Sequence, residues 1–361
     1  LKLSVISSYF GGTAFAFSAT LQIWNAEIWQ SAHSFLWLPL ALFAIEKLLA
    51  ENKIKYGILL GFSITMSIMA GYIQPTIYLL IFSLLYSIFR IIILKKRKIQ
   101  RVFKLGFGFV LGFAISAVQL FPAIEAYFLS PRSRIQLHDL NISFLLPISQ
   151  VVTLIAPDFF GNIATQNWFL NRPGQYYENM IYIGIVPLIL VPLALFFKKY
   201  LNYVAFFLIS ALISLSLTFD LPTSRLIYDF SIPFLSNAIP IRIIFITSFT
   251  VSILSAIGLE WWITEKDKRK TLVGILLSLL IFIGIGSFIY YSTVNSLKIS
   301  SFPDNWYFIS ARNFVIPLGV AIGSILVLFL GQYFIKAKKF LGAILIIALF
   351  SSSFLFAHKY I

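Results

Sequence analysis

EAYFLSPRSRIQLHDLNISFLLPISQVVTLIAPDFFGNIATQNWFLNRPGQYYEN, residues 125–179, is the longest polar interruption in an otherwise apolar chain. It carries Glu125, Arg132, Arg134, His138, Asp139, Asp158, Arg172 and Glu178. Outside it, uncharged runs of about 20 residues alternate with short basic clusters. A polar insert of this length is costly in such a chain unless it is used. It reads as one wall of a site at a membrane surface, and the runs on either side decide the fold.

The chain has 361 residues, of which 59% are hydrophobic and 11% charged. Its mean hydropathy is +0.91. Water-soluble domains carry about 25% charged residues, so this composition describes an integral membrane protein. The apolar runs do not alternate as barrel strands do, which leaves helices. A net charge of +15 could suggest nucleic acid, but the basic residues gather in short clusters at the ends of apolar runs. Cytoplasmic loops of membrane proteins collect Lys and Arg in this way, so nucleic acid is excluded as a partner. There is no cysteine, hence no disulfide framework and no thiolate metal site.

Taken in order, the predicted spans are residues 3–26, 35–45, a hairpin within 56–89, 105–124, 180–197, 200–219, 243–259, 271–296, 313–335 and 340–357. The hairpin is required by topology. Lys47, Lys53 and Lys55 precede the run, and Arg90, Arg101 and Lys104 follow it. Both clusters belong inside, so the run crosses an even number of times. Gly71-Tyr72-Ile73-Gln74-Pro75 supplies the turn, and Gly11-Gly12 suggests close helix packing. The expectation is an all-α, polytopic transmembrane bundle of about 11 helices. Residues 1–124 form five of them, 125–179 a large extracytoplasmic loop, and 180–361 six more. Within that loop, residues 142–155 are apolar but too short to cross, and read as a re-entrant or interfacial helix.

The outer loops hold the candidate site residues. Gln74 lies at the hairpin turn and Glu125 at a helix end. Arg132 and Arg134 suit a lipid phosphate, for which the planar guanidinium fork is shaped; headgroup contacts are the plainer reading. Asp158 reads as a base or a donor-binding acid, or else as a cap in Pro157-Asp158. Tyr177 and Glu178, with Tyr176, read as a binding surface or as interface anchors. Arg242 opens a span after Pro240 and is the costliest charge to place without a partner. His33 and His138 suit hydrogen-bonded structural roles. The large loop is expected to fold back over the outer helix ends and close a cavity faced by Gln74, Glu125 and Arg242. No phosphate-binding glycine loop, dinucleotide motif, nucleophile elbow or metal-spaced histidine pair is present.

Several short motifs recur in a telling order. Trp37-Leu38-Pro39-Leu40 and Glu46 precede Gly71-Tyr72-Ile73-Gln74. Next come Gln119-Leu120-Phe121-Pro122-Ala123-Ile124-Glu125 and then Tyr182-Ile183-Gly184-Ile185-Val186-Pro187-Leu188. Ile239-Pro240-Ile241-Arg242 opens a span that ends near Gly258-Leu259-Glu260. Together these resemble the bacterial YfhO-like membrane proteins, a family similar to the GT-C glycosyltransferases. The resemblance implies a polytopic enzyme that takes a sugar from a polyprenyl-phosphate carrier outside the cytoplasmic membrane. It implies a cell-envelope glycan or teichoic-acid-like acceptor, with membrane lipids around the chain. The phosphate is expected on Arg132, Arg134 or Arg242, its developing charge met by arginine or by a divalent metal. In such proteins the catalytic acid lies in the first outer loop. Five helices precede the large loop here, so two helices and that first loop are expected upstream of Leu1. The alternatives are a transporter or lipid-linked-glycan flippase, and an assembly subunit without chemistry of its own. Transport would favour paired ionisable groups near mid-bilayer.

Overall fold

In a computed structural model the chain is described over residues 2–94, 98–130, 138–170, 174–232, 235–297 and 306–360. Among the described residues the regular elements are helical, and Leu146 and Phe219 form an isolated parallel bridge. The protein is therefore all-α. Among the described residues seven helices are long and apolar enough to cross a membrane, or eight if one bent pair counts as a single span. The count falls below the expected one because several apolar runs are broken.

The first run divides into α1 (Val5–Ala16) and α2 (Ala19–Glu27) at Phe17 and Ser18. The Ser18 hydroxyl donates to the Phe15 carbonyl at 2.9 Å, and the Ala19 amide donates to Tyr182 O at 3.0 Å. At about 1.5 Å per residue neither piece reaches the ~30 Å of a hydrocarbon core. The next run is longer than expected. Helices α3 (Trp29–Phe35) and α4 (Leu38–Glu51) run together into a candidate span at Gln30–Glu51. Where the hairpin of two spans was expected, α5 (Ile54–Met69) and α6 (Ile73–Ile93) form a helix–turn–helix, of which α6 is a candidate span and α5 a shorter apolar helix. Gly71 turns between them at φ 83°, a conformation glycine adopts without a Cβ penalty. Pro75 sits in the first turn of α6, where a missing N–H costs nothing.

Residues 105–124 are not one straight span. Helices α7 (Lys98–Ile115) and α8 (Ala117–Leu129) meet at 67°. At the joint the Ser116 hydroxyl donates back to Gly112 O at 2.7 Å, a bond that bends helices. After the short α9 (His138–Ser143) come residues 142–155, expected as a re-entrant or interfacial helix. Ile148–Leu154 is a 3-10 helix, buried from Ser149 onward. It is drawn inside because the Leu146 amide bonds Thr218 O at 3.0 Å and the Leu146 carbonyl accepts from Asp220 N at 2.8 Å. Of run 180–197, only α10 (Ile185–Ala194) is regular helix. Then follow α11 (Leu201–Ser216), α12 (Pro222–Asp229), α13 (Ile244–Thr264), α14 (Lys268–Leu297), α15 (Trp306–Tyr333) and α16 (Lys338–Ala357).

The packing forms two compact units. One comprises Leu1–Ile23, Ile142–Phe230 and Ile239–Ile361; the other comprises Trp24–Asn141 and Ser231–Ala238. In the first, α13 is the central helix: 89% of its apolar window is buried, against 24% for α14. It packs on α1, α10 and α11. A Cβ on Gly258 of α13 would lie 2.0 Å from the Leu190 carbonyl oxygen of α10, so the two backbones touch. Its polar side chains are matched by neighbours. Thr247 meets Ser214 of α11 at 2.7 Å, and Ser248 meets Thr20 at 2.8 Å. Of the glycine pair noted in the sequence, Gly11 faces Ala256 of α13 and Gly12 faces open space.

In the second unit α5 packs most closely on α7. Gly57 and Gly61 of one helix meet Gly108 and Gly112 of the other, with backbone oxygens 2.8–3.1 Å from the positions their Cβ atoms would take. Where lipid removes the hydrophobic drive, close approach of small residues is what holds helices together. Glu46 of α4 accepts hydrogen bonds from Tyr86 and Arg90 of α6, so the charges within these spans are paired near helix ends.

Candidate functional site

A cavity of about 410 Å³ in the first unit is lined by Asp158, Arg312, Lys359 and several neutral polar side chains. Its floor is the Pro157-Asp158 corner. Asp158 is buried, yet its carboxylate is fully occupied. Oδ1 accepts from Asn162 Nδ2 at 2.8 Å and from the Tyr176 hydroxyl at 2.9 Å, and Oδ2 is ion-paired with Lys359. Lys359 comes from the turn His358–Tyr360 that follows α16. The second turn of α15 pins the corner from another side. Asn313 Nδ2 donates to the Asp158 carbonyl at 2.6 Å, and the Ser310 hydroxyl to the Phe159 carbonyl at 2.8 Å. Arg312, next to Asn313, is exposed and lines the same cavity. Among the described residues no carboxylate lies within ion-pair distance of Arg312.

A tight loop, residues 160–169, supplies another wall. It is closed like a hairpin by Phe169 N to Phe160 O at 3.1 Å and Asn167 N to Asn162 O at 3.2 Å. Inside it, Asn167 Oδ1 accepts from Asn162 N and from the Thr165 hydroxyl, both at 2.8 Å. Gly161 has φ 82°, and a Cβ there would stand 2.0 Å from Asn167 O, so no other residue fits. Thr165 and Asn167 both face the cavity. Their neighbour Gln166 holds a positive φ of 53°, a cost the surrounding bonds sustain.

A second polar cluster surrounds Glu178. Arg242 Nη2 donates to Glu178 Oε1 at 3.0 Å, and Gln175 N donates to Oε2 at 3.1 Å. Nearby, Gln150 Nε2 donates to Asn179 Oδ1 at 3.2 Å. The acid partner that Arg242 needs is therefore within the protein. Farther along, Asp220 and Arg225 form a two-point pair at 2.6 and 2.8 Å, which raises the guanidinium further above its ordinary range.

The sequence candidates separate accordingly. Asp158 lies in the cavity. Glu178 and Arg242 pair with each other, and Tyr177 is buried beside them in the 3-10 turn Tyr176–Asn179. Gln74 and Glu125 belong to the second unit. Gln74 donates to Tyr78 one turn along α6 at 3.0 Å, and Glu125 is exposed on α8. A common wall for Gln74, Glu125 and Arg242 is not part of either unit's geometry. Arg132 and Arg134 lie outside the described residues, as do Arg172 and the side chain of His138. His33 is exposed. Among the described residues no group of three or more His, Asp or Glu side chains could hold a metal ion.

Sequence reasoning missed Lys359 and Asn313 as partners of Asp158, and Arg312 as a cation lining the same cavity. A signal was there: in the topology expected from the sequence, Arg312 and Lys359 are bases on the outer side, which the positive-inside rule leaves poor in them. Such an excess charge calls for a local partner or an anionic ligand.

The site combines one buried acid, two cations and two amides beside apolar residues such as Phe356 and Pro317. That mixture suits an amphipathic anion. Comparison with curated proteins and with solved structures finds no match. The model of the bacterial membrane protein YfhO, by contrast, matches residues 1–356. With its all-helical architecture and apolar spans, the chain belongs to the YfhO family of bacterial membrane proteins.

Proposed function

We propose that the protein transfers a sugar from a polyprenyl-phosphate donor to a cell-envelope acceptor on the extracytoplasmic side of the cytoplasmic membrane. The observation that carries this reading is the cavity at Asp158, where Lys359 and Arg312 stand together with apolar residues. In the reaction the acceptor hydroxyl attacks the anomeric carbon and gives up its proton, the bond from that carbon to the phosphate oxygen breaks, and the released phosphate monoester takes up the proton. The phosphate keeps the electron pair. Lys359 and Arg312 bind the phosphate and meet the charge it gains, which is where fixed cations lower a barrier most. Asp158 holds the Lys359 ammonium in place; with both oxygens occupied, it serves as an anchor and not as the base. This differs from the sequence expectation, in which Arg132, Arg134 or Arg242 took the phosphate. Arg242, already paired with Glu178, instead holds the loop.

The transport reading has less support. It favours ion pairs at mid-bilayer, whereas the Glu46–Arg90 pair lies near the ends of α4 and α6. The test is transfer of labelled sugar from a polyprenyl-phosphate donor in membranes, with protein level controlled. Lys359→Ala and Arg312→Ala should each lower transfer at least tenfold. Wild-type transfer that survives both substitutions would refute this assignment, and movement of intact donor between leaflets without sugar transfer would favour the flippase.

A further inference from the structure

The charged groups of the cavity come from the Asp158 corner, α15 and the turn after α16. Of its neutral polar groups, Asn313 of α15 is bonded to the Asp158 carbonyl, and the others come from elsewhere: Thr165 and Asn167 from the 160–169 loop, Tyr182 from the segment before α10, and Ser352 from α16. We propose that the 160–169 loop is the specificity element of this site and reads the hydroxyl groups of a sugar bound to the phosphate. The proposal rests on the phosphate-binding reading above and adds the group that selects the ligand.

Three observations carry it. First, the loop is held in one shape by backbone and side-chain bonds at both its neck and its tip. A rigid wall can discriminate between ligands that differ by one hydroxyl, because a misplaced group cannot be accommodated by movement. Second, the bonds that shape the tip use only the oxygen of the Asn167 amide. Among the described residues its Nδ2 has no acceptor, and Asn167 lines the cavity. The amide therefore presents donors to whatever enters. Third, these groups carry no charge, so they add nothing to phosphate affinity at long range and suit a neutral polyol. A cavity of about 410 Å³ lies within the range of small-ligand pockets.

The experiment uses the full chain in detergent micelles and two soluble probes, inorganic phosphate and a hexose 1-phosphate. Affinities are compared by ligand-detected NMR titration near pH ~8, where both probes are dianions. Wild-type protein should bind the hexose ester more tightly than phosphate, by about fivefold or more, the worth of one or two hydrogen bonds. Asn167→Ala should bring that ratio close to one and leave phosphate binding in place. Because Asn167 also shapes the loop, Thr165→Val provides a second variant that leaves the Asn167 amide present; it should lower the ratio in part. Lys359→Ala should weaken both probes together and keep the ratio. If wild-type protein binds phosphate but prefers the hexose ester no better, or if the ratio survives both loop variants, the loop does not read the sugar. If wild-type protein binds neither probe, the phosphate site itself is refuted.

Discussion

Replacing Asp158 with alanine should be among the most damaging single changes in the first unit. Its carboxylate is 6% exposed and its partner Lys359 27% exposed. Breaking a buried ion pair by removing one partner costs about 3–5 kcal/mol. Lys359 recovers some hydration through its exposed part, which moves the expected cost to the lower end. Against that, the Tyr176 hydroxyl and the Asn162 amide each lose an acceptor in a buried setting, at about 1 kcal/mol or more apiece. The net expectation is about 5 kcal/mol, a loss of roughly several thousandfold in the folding equilibrium. Asp158→Asn keeps an acceptor oxygen for Tyr176 but turns the charge off, and should cost about 2 kcal/mol. The assay is chemical unfolding of purified protein in mixed micelles, run as a double-mutant cycle with Lys359→Met. The double variant should lose less than the sum of the singles, with a coupling of about 1–2 kcal/mol. A coupling below ~0.5 kcal/mol, the value for an exposed pair, would refute the account of Asp158 as an anchor for Lys359.

Gly11 and Gly12 make a matched pair. Gly11→Ala pushes a methyl to 2.9 Å from Ala256 Cβ and should destabilise the protein by about 1–3 kcal/mol. Gly12→Ala meets nothing within 4 Å and should be neutral or slightly stabilising; equal thermal stabilities for the two would refute the packing of α1 on α13. Arg242→Ala should strand buried Glu178 and lower folded yield, with Glu178→Gln in the same chain restoring part of it. A loss of donor dependence at unchanged yield would instead return Arg242 to the phosphate. Reporter fusions should place Gln166 outside and Lys268 inside. Ten residues of α10 rise about 15 Å at 1.5 Å each, so this outcome requires the extended, buried stretch before it to complete the crossing. Both reporters on one side would mean that this segment does not cross.

Much of the architecture follows from local chemistry that a linear reading captures. Runs of uncharged residues must be helical in lipid, since no water is present to satisfy an open backbone. The turn at Gly71 needs only its own residue to form, and the basic clusters mark the helix ends on their own. The order of short motifs was enough to point to the family. What the linear reading could not settle is where an apolar run stops being a helix. The breaks at Ser18 and Ser116 and the extended stretch before α10 occur in residues as apolar as their neighbours, and depend on bonds to distant or backbone groups. The amide of Ala19, the first residue of α2, is bonded by the carbonyl of Tyr182, which lies far along the chain. The site shows the same division. Arg242 was visible as a costly charge that needs a partner, and Asp158 and Glu178 as candidate site residues, but partner choice is a property of packing. Asp158 meets Lys359 across 201 positions, and Arg242 meets Glu178 across 64. Charge and spacing in a sequence set what a residue requires. Only the tertiary fold, by deciding which groups lose their water together, sets which residue supplies it.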